Sequence, residues 1–293
     1  VSEAPAVADS RRPLSAAGLA AAVGGLAGRW SVEHVPQTGS TNADLADRLT
    51  DPATAPDVAD GTVLVTEEQV SGRGRAGRSW HCPAGAGLMF SVAHRLPRVA
   101  GPQRGWVGIV LGVAVVEGLR AATGLPATLK WPNDVLIDDH KCAGVLGEFA
   151  GPGVVVGTGI NVSLTPDELA AATPPRTPAA TAPTPPTSLL AAGSPLLDRG
   201  LLLAAILERL GHWFDRWGQA GGDPVRSGLR DAYRAQCATL GRAVRLDLPG
   251  DRQITGYAAD IAVDGAIVVV TADGTRRTYG AADVVHLRPA RRT

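Results

Sequence analysis

Residues 130–144 read Lys130-Trp131-Pro132-Asn133-Asp134-Val135-Leu136-Ile137-Asp138-Asp139-His140-Lys141-Cys142-Ala143-Gly144, and they hold both lysines of a 293-residue chain. All the other basic residues, among 28 Lys and Arg in total, are arginine. Where a generic positive charge serves, this sequence supplies arginine. The two lysines therefore mark places where a compact ammonium on a thin stem works and a planar guanidinium does not. The competing reading is drift in an arginine-biased genome, which a single lysine fits better than a neighbouring pair. Trp131, preceding proline, reads as extended. Asn133-Asp134 then sets two short polar groups at the start of a strand over 135–137, and Asp138-Asp139-His140 reads as a turn, so the lysines flank a hairpin. Asp134 reads equally as a turn residue or a functional carboxylate, and Trp131 as core. Gly144 permits close approach of a ligand.

Working outward, Gly72-Arg73-Gly74-Arg75-Ala76-Gly77-Arg78-Ser79-Trp80 follows a strand signal at 62–67. Glycines let backbone amides approach an anion, and arginines offer forked donors to phosphate or carboxylate. Such a loop can close over a ligand and exclude water, with Trp80 free to stack on a base. A nucleic-acid contact and a merely solvated loop remain open readings of these residues alone. It is not a Walker loop, and it lacks the strand-to-helix setting of a dinucleotide fingerprint. Gly157-Thr158-Gly159-Ile160-Asn161 ends another strand signal in a polar amide. Gly39-Ser40-Thr41-Asn42 reads as a helix cap or a polar recognition turn.

Elsewhere, strand signals fall at 30–35, 88–94, 144–149 and 154–160, and a helix with one buried stripe at 106–120. Residues 1–13 read as a disordered lead. Arg11-Arg12 followed by an Ala/Gly run imitates a signal peptide, but glycines interrupt it, and Leu19, Ala22, Val23 and Leu26 fit one helix face instead. A short helix is expected through 45–49. Residues 173–188 are rich in Pro, Ala and Thr and read as an extended exposed loop that forms neither helix nor ladder. Leu203, Ile206, Leu207, Leu210, Phe214 and Trp217 mark an amphipathic helix, and 225–237 a second. From 240 onward, short β-rich runs at 243–248, 253–261, 266–271, 276–279 and 284–287, joined by Pro-Gly and Asp-Gly turns, predict a small barrel of five strands.

Composition narrows the function. The formal net charge is +0, which gives no global attraction to nucleic acid or membrane. Three scattered cysteines fit free thiols in a reducing cytoplasm and no zinc site. No apolar run approaches a membrane span. No GxSxG elbow or HExxH is present, and no histidine pairs with a serine or cysteine nucleophile, so a hydrolase reading has no anchor.

Taken in order, the four segments resemble the biotin protein ligases, from about residue 30 to the C-terminus. The family's GRGRxGR stands at 72–78 with its tryptophan at Trp80, its KWPND at 130–134, its K-x-AG at 141–144 and its GxGIN at 157–161. The resemblance implies an α/β (α+β) catalytic domain with a mixed sheet related to class II synthetases over 30–238, interrupted by the 173–188 loop. It also implies an SH3-like barrel over 239–293, with residues 1–29 a lead and helix. It implies that biotin and ATP give biotinyl-5′-AMP, with Mg²⁺ on the triphosphate, and that biotin then passes to one lysine of a biotin carboxyl carrier domain. Carried residue by residue, it puts Ser40, Thr41, Asn42, Gln69, Gly72, Arg73, Gly74, Arg75, Lys141 and Gly144 around biotin. It puts Arg78, Trp80, Lys130, Asn133 and Asn161 around ATP, with Lys141, Arg75 and Asp134 catalytic and Asp134 orienting or deprotonating the incoming amine. Metal ligands are not legible. The 29 residues before Trp30 are too few for a winged-helix domain, so no DNA partner is expected. Asp283 and Arg288 stand near where the family places an acid and a base that communicate with the site. A lipoate- or octanoate-transferring relative and a nucleic-acid-binding module are the alternatives. The GRGRAGR loop and KWPND favour biotin, and the zero net charge opposes nucleic acid.

Overall fold

The computed structural model describes residues 7–26, 28–95, 99, 101–151, 153–171, 184–250 and 252–287. In chain order the elements are α1 (Val7–Ser10), α2 (Ala16–Val23), β1 (Ser31–Thr38), α3 (Thr41–Thr50), β2 (Thr62–Gln69), β3 (Gly87–His94), α4 (Val107–Thr123), β4 (Ala127–Lys130), β5 (Asp134–Ile137), β6 (His140–Ala150) and β7 (Gly153–Asn161). There follow α5 (Pro166–Ala171), α6 (Arg199–Gln219), α7 (Leu229–Gln236), β8 (Ala243–Leu248), β9 (Arg252–Ile261), β10 (Ile267–Val270), β11 (Arg276–Tyr279) and β12 (Asp283–His286).

Seven strands form one mixed sheet in the order β1-β2-β3-β7-β6-β5-β4. The β1/β2 pair, joined through α3, is parallel; the other pairings are antiparallel. Alternation along each strand divides the side chains between two faces. Leu88, Phe90, Val92, Val154, Val156 and Ile160 join the large core under α4 and α6. Their neighbours Ala93 and Val155, with Leu64 and Ala150, pack instead against Leu45 and Leu49 of α3. The α3 face is the one that carries the site described below.

The C-terminal strands pair as β11-β10-β9-β8-β12. This is an open antiparallel sheet, since β11 and β12 at its two edges are not hydrogen-bonded neighbours. Its inner side chains Val244, Leu246, Ala258, Ile261, Ile267 and Val269 belong to the same buried core as α4 and α6. The indoles of Trp106 and Trp131 donate to the carbonyls of Val263 (2.8 Å) and Gly265 (3.0 Å) in the β9–β10 turn. Trp131 is thus core, 2% exposed.

Several expectations need correction. Within the predicted disordered lead, residues 7–13 are structured: Arg11 pairs with Glu168 at 2.6 Å and donates to the Ser163 carbonyl. Of the Pro-rich stretch, 173–183 lie outside the described residues. Residues 184–188 are not an exposed loop, because the Lys141 N–H donates to the Pro185 carbonyl (2.7 Å) and the Thr187 N–H to the Lys141 carbonyl (2.8 Å). Proline lacks a donor, yet its carbonyl still accepts. The helix expected at 225–237 begins only at Leu229, because the Asp223 carboxylate accepts from the Val225 and Arg226 N–H groups and holds a turn there. Strand β4 was not anticipated; four residues with one large aliphatic give little period to read. Among the described residues no helix is long and apolar enough to cross a membrane.

Candidate active site

Three glycines make room on the α3 face of the sheet. Gly157 and Gly159 alternate on β7, and Gly144 on β6 stands opposite Gly159. A Cβ at 157 would overlap Asn42 Oδ1 and Ser91 Oγ, and one at 159 would overlap the Trp80 indole. A Cβ at 144 would lie 3.3 Å from the Trp80 ring. The space that glycine leaves is therefore filled by Asn42 and Trp80, which form the floor and wall of a cavity.

One end of that cavity is polar and buried. Ser40 stands at the N-cap position of α3, but its hydroxyl makes no capping bond. The Thr41 N–H donates to Gln69 Oε1 at 2.9 Å. Thr41 Oγ1 lies 2.7 Å from Ser91 Oγ, and Ser91 donates to Asn42 Oδ1 at 2.6 Å. Asn42 Nδ2 donates to Glu148 at 2.9 Å. These groups suit a compact heterocycle, whose polar atoms need partners when they leave water.

The other end is cationic. The Gly/Arg segment is a tight hairpin: Trp80 N–H donates to Gly72 O (2.8 Å), Gly74 N–H to Arg78 O (2.6 Å) and Arg78 N–H to Arg75 O (3.2 Å). It presents Arg73, Arg75 and Arg78 to the cavity. Burial lowers the Arg75 pKa, partly offset by Asp283, and its Nη1 is buried with no protein partner. A desolvated guanidinium with an open donor is prepared for an anion. Lys141 enters from β6, with Nζ 2.6 Å from Asp134 Oδ1 and 5.7 Å from the Trp80 ring centroid.

A second cavity adjoins the first through Arg78, Asn133 and Lys141, and Lys130 and Asp134 line it. Lys130 is 9% exposed, and its Nζ donates to Thr184 Oγ1 at 2.6 Å. Burial lowers its pKa, and nearby Asp134 opposes the shift. Arg78 reaches the C-terminal sheet through Asp283 at 2.8 Å; Arg288 lies outside the described residues. Asn133 brackets β6, exchanging backbone and side-chain bonds with Val145.

Nearly all the sequence-derived candidates converge on these two cavities. Two do not line them. Gly72 lies beneath the hairpin, where a Cβ would strike the Trp80 carbonyl. The Asn161 amide is spent on the Thr187 carbonyl (2.9 Å), anchoring the end of the Pro-rich stretch. Sequence reading missed Ser91, Glu148 and Thr184. The alternation of β3 and β6 puts Ser91 and Glu148 on the α3 face, so a polar residue at an inward strand position was a usable signal. Thr184 had none.

Residues 36–163 match the biotin/lipoate A/B protein ligase family, a class that spans two acyl groups. Residues 239–287 match the biotin protein ligase C-terminal domain, which narrows the choice to one. The chain is 37% identical to the biotin--[acetyl-CoA-carboxylase] ligase of Mycobacterium tuberculosis, over 95% of this chain and 97% of that protein. It is 31% identical to the Paracoccus denitrificans ligase of the same name, over 85% of this chain and 97% of that protein. Its structure superposes on the biotin protein ligase from Aquifex aeolicus in complex with biotin and ATP with a TM-score of 0.69 and 26% identity, covering 88% of this chain and 99% of that one. The chain belongs to the biotin protein ligase family.

Proposed function

We propose that this protein condenses biotin with ATP to biotinyl-5′-AMP and pyrophosphate, then transfers the biotinyl group to one lysine of a biotin carboxyl carrier domain, releasing AMP. The observation that carries the reading is the Arg75 guanidinium, desolvated and with an open Nη1, on the cavity that the Gln69–Thr41 pair also lines. A ligand held by its polar ring at one end and its carboxylate at the other fits that layout.

In the first step a biotin carboxylate oxygen attacks the α-phosphorus and pyrophosphate leaves. Two anions must meet, and charge builds on the phosphoryl oxygens. Arg75 and Lys141 supply preorganised positive charge at that point, and the ring contacts hold the carboxylate in line. In the second step a neutral carrier amine attacks the acyl carbon of the mixed anhydride. Asp134 holds Lys141 in the observed geometry; acting on the incoming amine requires it to exchange that partner. Among the described residues no three His, Cys, Asp or Glu side chains converge as metal ligands. Mg²⁺ enters this reading as part of the ATP substrate, and no step is assigned to it.

The test supplies purified protein with biotin and MgATP, with and without a carrier domain. Biotin-dependent AMP and label on a single carrier lysine are expected. Turnover with lipoate but none with biotin would overturn the reading.

A further inference from the structure

The polar end of the cavity is a hydrogen-bond chain with one direction. Glu148, as a carboxylate on the α3 face of β6, can only accept. It accepts from Asn42 at 2.9 Å, and the Leu146 carbonyl accepts weakly from the same amide nitrogen at 3.4 Å. Asn42 must therefore turn Nδ2 toward β6 and Oδ1 toward Ser91. An amide oxygen cannot donate, so the Ser91 proton goes to it across 2.6 Å. Ser91 Oγ is then left as acceptor for the Thr41 hydroxyl at 2.7 Å, whose proton is shared with Gln69 Oε1 at 3.1 Å. With its proton committed, Thr41 Oγ1 has only a lone pair to offer a ligand. Independently, the Thr41 N–H fixes Gln69 Oε1 and leaves the Gln69 amide nitrogen as a donor. Ser91 is 0% exposed, Thr41 3% and Asn42 5%, so water does not rescue the opposite arrangement.

We propose that Glu148, acting through Asn42 and Ser91, sets the hydrogen-bond polarity of the ligand pocket. The wall then offers an acceptor at Thr41 beside a donor at Gln69, and selects a ring N–H adjacent to a ring C=O. This deepens the biotin reading and rests on it, since the ureido ring has that pattern. Glu148 is a positioning residue here. It acts through three side chains and needs no ligand contact. Without it the Asn42 amide is free to turn over, Ser91 then accepts from Asn42 and donates to Thr41 Oγ1, and its proton competes with the ligand N–H for that oxygen while the Thr41 proton stays on Gln69 Oε1. Gly157 belongs to the same device, because any side chain there would occupy the space where Asn42 and Ser91 meet.

The experiment measures dissociation constants of the whole protein for biotin and for two cyclic carbamate analogues, in each of which a ring oxygen replaces one ureido N–H. Wild type should prefer biotin over the worse carbamate by on the order of a hundredfold, as a site left with an unpaired buried acceptor does. Glu148→Leu should reduce that ratio by about tenfold or more, with the KM for ATP little changed. Glu148→Gln, which can still present an oxygen to Asn42, should restore most of it. Ser91→Ala cuts the chain at its middle and should lower the ratio in the same way, so the proposal stays testable if one variant does not fold. A ratio unchanged in both folded Glu148→Leu and Ser91→Ala overturns this proposal alone. Wild type that binds neither biotin nor the carbamates overturns the functional reading beneath it.

Discussion

Lys141 is held between an acid and an aromatic ring. Its Nζ is 2.6 Å from Asp134, the Trp80 ring lies on one side, and a Cβ at Gly144 would be only 3.6 Å from the ammonium. Lys141→Arg keeps the charge but has to find space for a planar fork. We expect biotin-dependent pyrophosphate release to fall by on the order of a hundredfold, the scale of losing one transition-state donor. Near-normal turnover in that variant would falsify the idea that lysine scarcity marks this position. Gly159 is constrained by size in the same way. Gly159→Ala drives a methyl into the Trp80 indole, so the ring must leave the floor that Gly144 and Gly159 provide. Biotin affinity should drop by about tenfold or more, with a matching change in tryptophan emission. An unchanged emission spectrum and affinity would show that the ring is not seated there. The sequence points to both lysines, because composition alone singles them out. It does not reveal that Lys130 is tied to Thr184, since that contact joins residues 54 positions apart.

At the scale of elements, the Gly/Arg hairpin is held by its own short ladder and by one ion pair to β12, Arg78–Asp283, with both side chains about half exposed, 55% and 52%. Exposed pairs contribute little, about 0–1 kcal/mol, so the hairpin is closed without being locked. Arg75 carries the inward charge, and Arg75→Ala should speed escape of the adenylate and weaken biotin binding. Pre-formed adenylate, chased with unlabelled biotin and ATP, should leave the variant faster than wild type; equal retention would rule out a clamping role for Arg75. The hairpin also shows what kind of element a sequence discloses. Strands such as β3 and β7 were readable because their apolar runs continue through almost the whole strand, and α6 because its apolar stripe runs about four turns. The hairpin's composition gave its chemistry but not its shape, which depends on Ala76 adopting a positive φ of 55°, a conformation that sequence rarely announces outside glycine. The edge formed by 184–188 was hidden for the opposite reason: prolines argue against a ladder, yet the Pro185 carbonyl accepts from Lys141 and the Thr187 N–H donates back to it.

Across the whole molecule, the two sheets meet through named polar contacts as well as core. Arg242 bridges Asp139 in the β5–β6 turn (2.9 Å) and His286 Nδ1 on β12 (3.3 Å), while His286 Nε2 faces Thr239 (3.0 Å). Burial, then the nearby Lys130 and Arg242 charges, push the His286 pKa down to about 4, so the folded state holds it neutral. As pH falls from about 6.5 toward 4 the unfolded chain takes up a proton that the folded one refuses, and stability falls with it. His286→Asn should flatten that part of a melting-temperature profile. A variant that loses stability over this window as steeply as wild type would exclude His286 as the cause. The scarcity of lysine has a consequence at this scale too. An acyl adenylate that leaves the site acylates neutral amines, and guanidinium groups stay protonated at any working pH. Of the chain's two lysines, Lys130 is buried on Thr184 and Lys141 is paired with Asp134, so the fold engages both side-chain amines. Incubated with biotin and MgATP and no carrier, the protein should carry no biotin on the peptides that hold Lys130 and Lys141, read by peptide mass mapping, while a lysine-rich bystander in the same tube becomes labelled. Biotin on either peptide would mean that Lys130 or Lys141 leaves its Thr184 or Asp134 partner during turnover.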